Sequence, residues 1–309
     1  MPNDAIQVKD FRKIYSDTVA VDGISFNVLE GEIFGLLGPN GAGKTTTLEC
    51  LEGLRQPSAG SLKILDINPT RSPGKLRDLM GVQLQSSSLP GNMTPHEAMD
   101  FFCAYRKIAP RYDLLERLGL SEKNSAQFSN LSTGQQRRLA LALAIAHHPP
   151  IVLLDEPTAG LDVGSRVELH EVMRELKASG TTIILATHDM AEAEKMADRV
   201  AILLKGKIAA IGSPTQLTAT GSGLVKISVL SESGSLEHSS EVLPAVSQRI
   251  IKEDYVVMYS HDAGDTVPAV LDFLKAHGDH LVDLRVERPS LEDRFLEITQ
   301  LERPNGGRS

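Results

Sequence analysis

The residues best suited to chemistry begin with Gly38-Pro39-Asn40-Gly41-Ala42-Gly43-Lys44-Thr45-Thr46, whose G-x-x-x-x-G-K-T spacing is that of a phosphate-binding loop. Glycines let the backbone turn sharply enough for successive amides to surround a β-phosphate at the positive end of the following helix. Lys44 adds a point charge toward the β- and γ-phosphates, and the Thr45 hydroxyl can ligate Mg²⁺. The bland alternative is a glycine-rich turn that binds nothing. The apolar run Glu32–Leu37 that leads straight into the loop, and the helix-like stretch Thr45–Leu54 that leaves it, argue against that alternative.

Two adjacent carboxylates, Asp155 and Glu156, close the fully apolar run Ile151-Val152-Leu153-Leu154, which reads as a central parallel strand. Open α/β sheets place their ligands at the carboxyl ends of such strands. There Asp155 suits Mg²⁺ held through water, and Glu156 suits polarisation of an attacking water. A further β-rich run, Thr181–Ala186, delivers His188-Asp189 to the same sheet edge. A lone histidine is usually structural, and this placement is what singles out His188. His147, His148 and His170 lack it and stay unassigned.

Positioning these groups takes a sheet with helices around it. Residues alternate in strand fashion from Ile6 to Val28, with Gly23 as the expected turn of an antiparallel lead-in. Tyr15, in its exposed middle, reads equally as a base-stacking aromatic or as an ordinary strand residue. Short strands are expected at Ser61–Leu65 and Leu79–Leu84, the second ending at Gln85 and a serine-rich loop. Thr94-Pro95-His96-Glu97 is a capping box that starts a helix running to about Lys107, and Tyr112–Leu118 is a second helix stopped by Gly119. Ser132 or Thr133 can cap the alanine- and leucine-rich helix that follows, whose Arg137 and Arg138 read as a solvated basic face. Gly164–Ala178 carries helix periodicity, and Val200–Leu204 with Ile208–Ile211 reads as a closing hairpin.

Composition shifts at Thr218–Gly223, a linker, so the domains are expected at 1–218, with a helical part at about 94–135, and at 219–302. In the second, strands at Leu224–Leu230, Tyr255–Ser260 and Leu281–Glu287 alternate with helices near Glu241–Ile251, Val267–His277 and Ser290–Leu301. Residues 303–309 read as a disordered tail. The fold class is α/β, a mixed sheet core with an antiparallel lead-in and a helical insert, plus a small α+β unit.

A formal charge of −8 over 309 residues and the absence of Trp argue against nucleic-acid binding, which needs a basic footprint and favours aromatic platforms. Cys50 and Cys103 fall in apolar helical surroundings, as reduced buried thiols would, which points to the cytosol. The opening MPNDAIQVKD has no apolar signal core, and the longest apolar passage, Leu139–Leu154, is interrupted by His147-His148-Pro149-Pro150. Any action on a membrane is therefore expected to run through a partner.

With these pieces in place, the stretch from about Ile6 to Pro214 resembles the ATP-binding cassette ATPase family. Gly38–Thr46 looks like its phosphate loop and Ile151–Pro157 like its second nucleotide motif. Leu131-Ser132-Thr133-Gly134-Gln135 looks like its signature, with Thr133 where glycine is commonest. The resemblance implies that Tyr15 stacks on adenine and that Gln85 senses Mg²⁺ and the attacking water. It implies also that Ser132, Gly134 and Gln135 face the γ-phosphate of a second cassette's ATP, that Asp162 lies in the loop crossing to that cassette, and that His188 is the switch histidine. The insert Pro95–Asn130 would carry the signature and, beside the Gln85 loop, receive a helix of a transmembrane subunit. Each ATP then needs two chains, a homodimer or a heterodimer with a related cassette. Pro289–Thr299 resembles the ending of bacterial exporters of drugs, antibiotics and sometimes ions, which carry an extra C-terminal domain.

The function implied is ATP hydrolysis, with ATP and Mg²⁺ as cofactors, powering export through a separate permease at the inner face of the cell membrane. The runner-up is a non-transport cassette protein, a nucleotide-switched binding module. Such proteins usually carry two cassettes or long coiled-coil insertions, which this chain lacks. A monomeric phosphate-loop kinase would leave Leu131–Gln135 and His188 without a role.

Overall fold

A computed structural model describes residues 3–84, 89–219, 224–287 and 289–301. The chain divides into two compact units, Met1–Ser213 and Pro214–Ser309, ahead of the sequence-based border at 218.

The first unit opens with a hairpin of β1 (Asp4–Tyr15) and β2 (Thr18–Leu29), and then β3 (Ile33–Leu37), α1 (Lys44–Leu51) and β4 (Ala59–Ile64). The turn differs from expectation. Tyr15 pairs with Thr18, so the chain reverses at Ser16-Asp17, where Ser16 takes φ 48. Gly23 instead lies inside β2 with φ 71, beside the register shift between the Phe11–Ile24 and Lys13–Val21 pairs. Its freedom at positive φ serves a bulge there, which bends the strand without ending it. Tyr15 thus stands at the end of its strand, half-buried.

Next come α2 (Pro73–Leu79), β5 (Met80–Gln83), α3 (Pro95–Arg106), α4 (Tyr112–Arg117), α5 (Thr133–Ile145), β6 (Ile151–Asp155) and α6 (Val163–Ala178). The unit closes with β7 (Thr182–Thr187), α7 (Met190–Met196), β8 (Arg199–Leu204) and β9 (Lys207–Gly212). The central sheet runs β5-β6-β7-β3-β8-β9, parallel except for the final β8–β9 pair. A second, antiparallel sheet runs β2-β1-β4.

Strands alternate their side chains between faces, so β3, β6 and β7 each feed two cores. Ile151, Leu153, Ile184 and Phe34 face the antiparallel sheet and α1, while Val152, Leu154, Ile183 and Ile33 face the helical layer of α3, α4, α5 and α6. This two-sided burial is why β3, β6 and β7 read as unbroken apolar runs. The Thr94 hydroxyl accepts from the Glu97 amide, and the Glu97 carboxylate accepts from the Thr94 amide, completing the capping box that starts α3. Cys50 and Cys103 are buried free thiols.

In the second unit α8 (Pro214–Ala219), β10 (Val225–Ser231), α9 (Ser235–His238), β11 (Val246–Lys252), β12 (Tyr255–Ser260), α10 (Ala263–Ala276), β13 (Leu281–Glu287) and α11 (Leu291–Leu301) form a four-stranded antiparallel sheet, ordered β11-β12-β10-β13, with helices. Ile227, Val229, Met258, Val270 and Phe273 make its core. The helix expected near Glu241–Ile251 is corrected to a strand. Pro244 disfavours helix before it, and Ile250, Ile251 and Lys252 pair with β12 across a tight turn at Glu253, whose φ is 56. Ser290 and Asp293 cap α11, and the Tyr259 hydroxyl donates to Asp293 at 2.5 Å. The expected tail, 303–309, and Gln85 lie outside the described residues.

Candidate nucleotide-binding site

The strand order β6-β7-β3 brings three strand ends side by side, and each carries part of the site. β3 ends at Leu37 and passes through the glycine-rich loop into α1. Gly43, at φ 103, is the residue before that helix, and a Cβ there would stand 2.6 Å from the Ala20 carbonyl oxygen. Only glycine suits this place. The start of α1 has no side-chain cap and no acidic residue in its first turn, so its free amides and positive dipole end remain available to an anion.

Lys44 is buried, and its Nζ donates to the carbonyls of Gly38 at 2.7 Å and Pro39 at 3.2 Å. Burial lowers its pKa, which the charges of Glu156 and Asp155 partly oppose. The amine therefore sits where a polyanion would hold it charged. At the end of β6, Asp155 accepts a hydrogen bond from the Thr45 hydroxyl at 2.9 Å. Burial raises the pKa of Asp155, and the neighbouring Glu156 adds to this. Its other oxygen, Oδ1, is buried with no hydrogen-bond partner among the described residues. An orphaned carboxylate oxygen beside a hydroxyl is the donor set that a hard cation takes up, so Thr45 and Asp155 fit Mg²⁺.

Glu156 follows at φ 48, an uncommon conformation for a side-chain-bearing residue and more so before proline. Its amide donates to the Ala186 carbonyl at 2.8 Å, locking the turn to β7. Its Oε1 lies 3.7 Å from Lys44 Nζ and 3.0 Å from Nδ1 of His188. Lys44, Thr45, Asp155, Glu156 and His188, distant in sequence, are thus one cluster.

The remaining candidates are placed elsewhere. Ser132 caps α5, accepting from the Gln135 amide at 3.2 Å while the Gln135 side chain accepts from the Ser132 amide at 2.9 Å. Thr133 is exposed at the first position of that helix, and Gly134 follows it. Asp162 caps α6 through Ser165, whose amide and hydroxyl hold its carboxyl below the usual range. Among the described residues, no hydrogen bond or ion pair joins Ser132–Gln135 or Asp162 to the Gly38–Thr46 loop. Tyr15 carries Lys13 and Arg55 against its ring, at 4.9 and 5.6 Å from the centroid. Sequence reasoning missed Arg137, whose guanidinium donates to the main-chain carbonyl of Glu156. A basic residue on a helix carries no sign of such a contact.

A phosphate loop, a Thr–Asp pair and a Glu–His pair on adjacent strand ends define a nucleoside triphosphatase of the phosphate-loop α/β class. The family described as ABC transporter matches residues 21–159. Nod factor export ATP-binding protein I of Paraburkholderia xenovorans (strain LB400) is 37% identical over 309 residues, spanning 97% of this chain and 98% of the relative. Linearmycin resistance ATP-binding protein LnrL of Bacillus subtilis (strain 168) is 31% identical over 95% of this chain and 98% of its own length. Among solved structures, an ATP-binding subunit of an ABC transporter superposes with a TM-score of 0.66 at 28% identity, covering 71% of this chain and 94% of that one. The ATP-binding cassette MJ0796, a dimer in a post-hydrolysis state bound to ADP and Pi, gives 0.61 at 26% identity, over 67% and 98%. The chain belongs to the ABC transporter ATP-binding family. It is an ATP-binding ATPase of the exporter type.

Proposed function

We propose that the protein hydrolyses ATP as the motor subunit of an exporter and passes the work to a separate transmembrane subunit. The observation that carries this reading is the line from buried Lys44 through buried Glu156 to exposed His188, with contacts of 3.7 and 3.0 Å, beside the Thr45–Asp155 pair. Loop amides and Lys44 bind the phosphates and oppose charge growing on the γ-phosphoryl oxygens. Glu156 accepts the proton of the attacking water, and His188 fixes the orientation of the carboxylate and meets the γ-phosphate. Thr45 and Asp155 would hold Mg²⁺, which would supply further charge neutralisation.

Ser132, Gly134 and Gln135 serve the ATP of a second copy, and Asp162 lies at the crossing between the two. Among the described residues no hydrogen bond or ion pair ties them to the loop of their own chain, which supports this reading, as does the dimeric MJ0796 cassette. Two-fold symmetry makes two equal sites. Tyr15 takes the adenine, with Lys13 and Arg55 moving aside or stacking with it.

No helix of the described residues is long and apolar enough to cross a membrane; in this reading, attachment to the inner face of the membrane runs through the permease. A cavity of about 350 Å³ lined by Met80, Val82, Leu89, Phe102, Ile108 and Leu143 supports a docking place between β5 and the helical layer for an apolar side chain of that subunit. For the cargo, the relatives named for Nod factor export and linearmycin resistance support a drug, antibiotic or lipid-like compound. Purification of the tagged chain from detergent-extracted membranes tests the proposal: an integral membrane subunit in fixed ratio is expected. A chain that partitions without one, and with ribosomes or DNA instead, would be a nucleotide-switched module.

A further inference from the structure

Arg137 and Arg138 are neighbours in sequence with different surroundings. Arg138 pairs with Glu168 of α6 at 3.1 Å, while Arg137 donates to the main-chain carbonyl of Glu156. That carbonyl also accepts from the Ala159 amide at 3.3 Å, and the Glu156 amide donates to Ala186 at 2.8 Å. One side of this left-handed residue is therefore anchored to the central sheet, and the other is anchored to the first turns of α5. Helix α5 packs with α3 and α4 through Leu139, Leu141, Met99 and Leu115, so Arg137 links the helical layer to Glu156. The direction of a side chain follows its backbone, and a residue at φ 48 before proline stays there only while its surroundings hold it.

We infer that Arg137 is a positioning residue for hydrolysis, which holds the Glu156 peptide so that the carboxylate stands against Lys44 and His188. The competence of Glu156 then depends on where the start of α5 lies relative to the central sheet. This rests on Glu156 being the group that activates water. It separates hydrolysis from binding, because the phosphate loop hangs on β3 and α1 and has no part in the Arg137 contact.

The test uses the full-length chain and measures phosphate release, binding of a fluorescent ATP analogue and melting temperature. Arg137→Met is expected to lower kcat by about tenfold to hundredfold, the scale of a small misplacement of a reacting group, with KM, analogue affinity and melting temperature unchanged. Arg137→Lys keeps a charge without the planar fork and should recover part of the loss. Arg138→Met should behave as wild type. Wild-type kcat in Arg137→Met overturns the inference, and so does a loss of kcat that comes with weaker analogue binding or early melting, since that is a structural role. Glu156→Gln, run alongside, separates the two failures. If it hydrolyses ATP normally, the premise has failed; if it is inactive while Arg137→Met is not, only the role of Arg137 has.

Discussion

Nζ of Lys44 and Oε1 of Glu156 lie 3.7 Å apart, with the side chains only 5% and 9% exposed. A buried ammonium is costly unless paired, and a carboxylate beside it offsets much of that cost. The cradle of carbonyls from Gly38 and Pro39 completes the solvation of the amine. When a triphosphate enters, its charge competes with Glu156 for the lysine. In the proposed mechanism the group that binds ATP and the group that activates water would thereby be electrically coupled.

Lys44→Ala removes the charge and its charge-assisted bonds to phosphate, each worth roughly 1.5–3 kcal/mol. ATP affinity should fall by about tenfold to hundredfold, as measured by fluorescent-analogue titration. Unchanged affinity would remove Lys44 from the site.

Glu52, at the end of α1 and lining the cavity beside β5, has its pKa raised to about 7, mainly by burial and then by the charges of Asp155 and Glu49. Between the ordinary value of 4.5 and 7 the unfolded chain ionises first while the folded chain keeps its proton, so stability falls as pH rises through this window. Above it the full penalty, on the order of 1–3 kcal/mol, is present. Glu52→Gln should therefore melt higher than wild type above pH 7 and match it below pH 4.5. A gain that is the same at both ends would rule out titration as the cause.

Ser132→Ala breaks the capping box at the start of α5 and should cost about 1 kcal/mol of stability, read by chemical denaturation. Thr133→Gly leaves that cap intact and touches an exposed side chain. Steady-state hydrolysis should change little. A large gain would show that threonine impairs this signature.

Features decided by local chemistry were readable from the sequence. The G-x-x-x-x-G-K-T spacing, the acidic pair after an apolar run and the Thr94–Glu97 capping box each depend on residues within a few positions of one another. Tertiary competition decided the rest. At Val246–Lys252, pairing with Tyr255–Ser260 outweighed an apparent helical pattern. At Gly23 a flexible residue served a bulge, while the less conspicuous Ser16-Asp17 made the turn. The helices Pro73–Leu79 and Met190–Met196 are too short for periodicity to mark. The meeting of Arg137 with Glu156 joins two elements whose contact no local pattern encodes.

The central claim is that Glu156 activates the water while other groups bind ATP. Phosphate release by Glu156→Gln, measured together with ATP binding and sedimentation, tests it most directly. Turnover should fall on the order of 10²–10³, with binding retained and an ATP-bound dimer accumulating. A variant that releases phosphate at the wild-type rate would contradict the account.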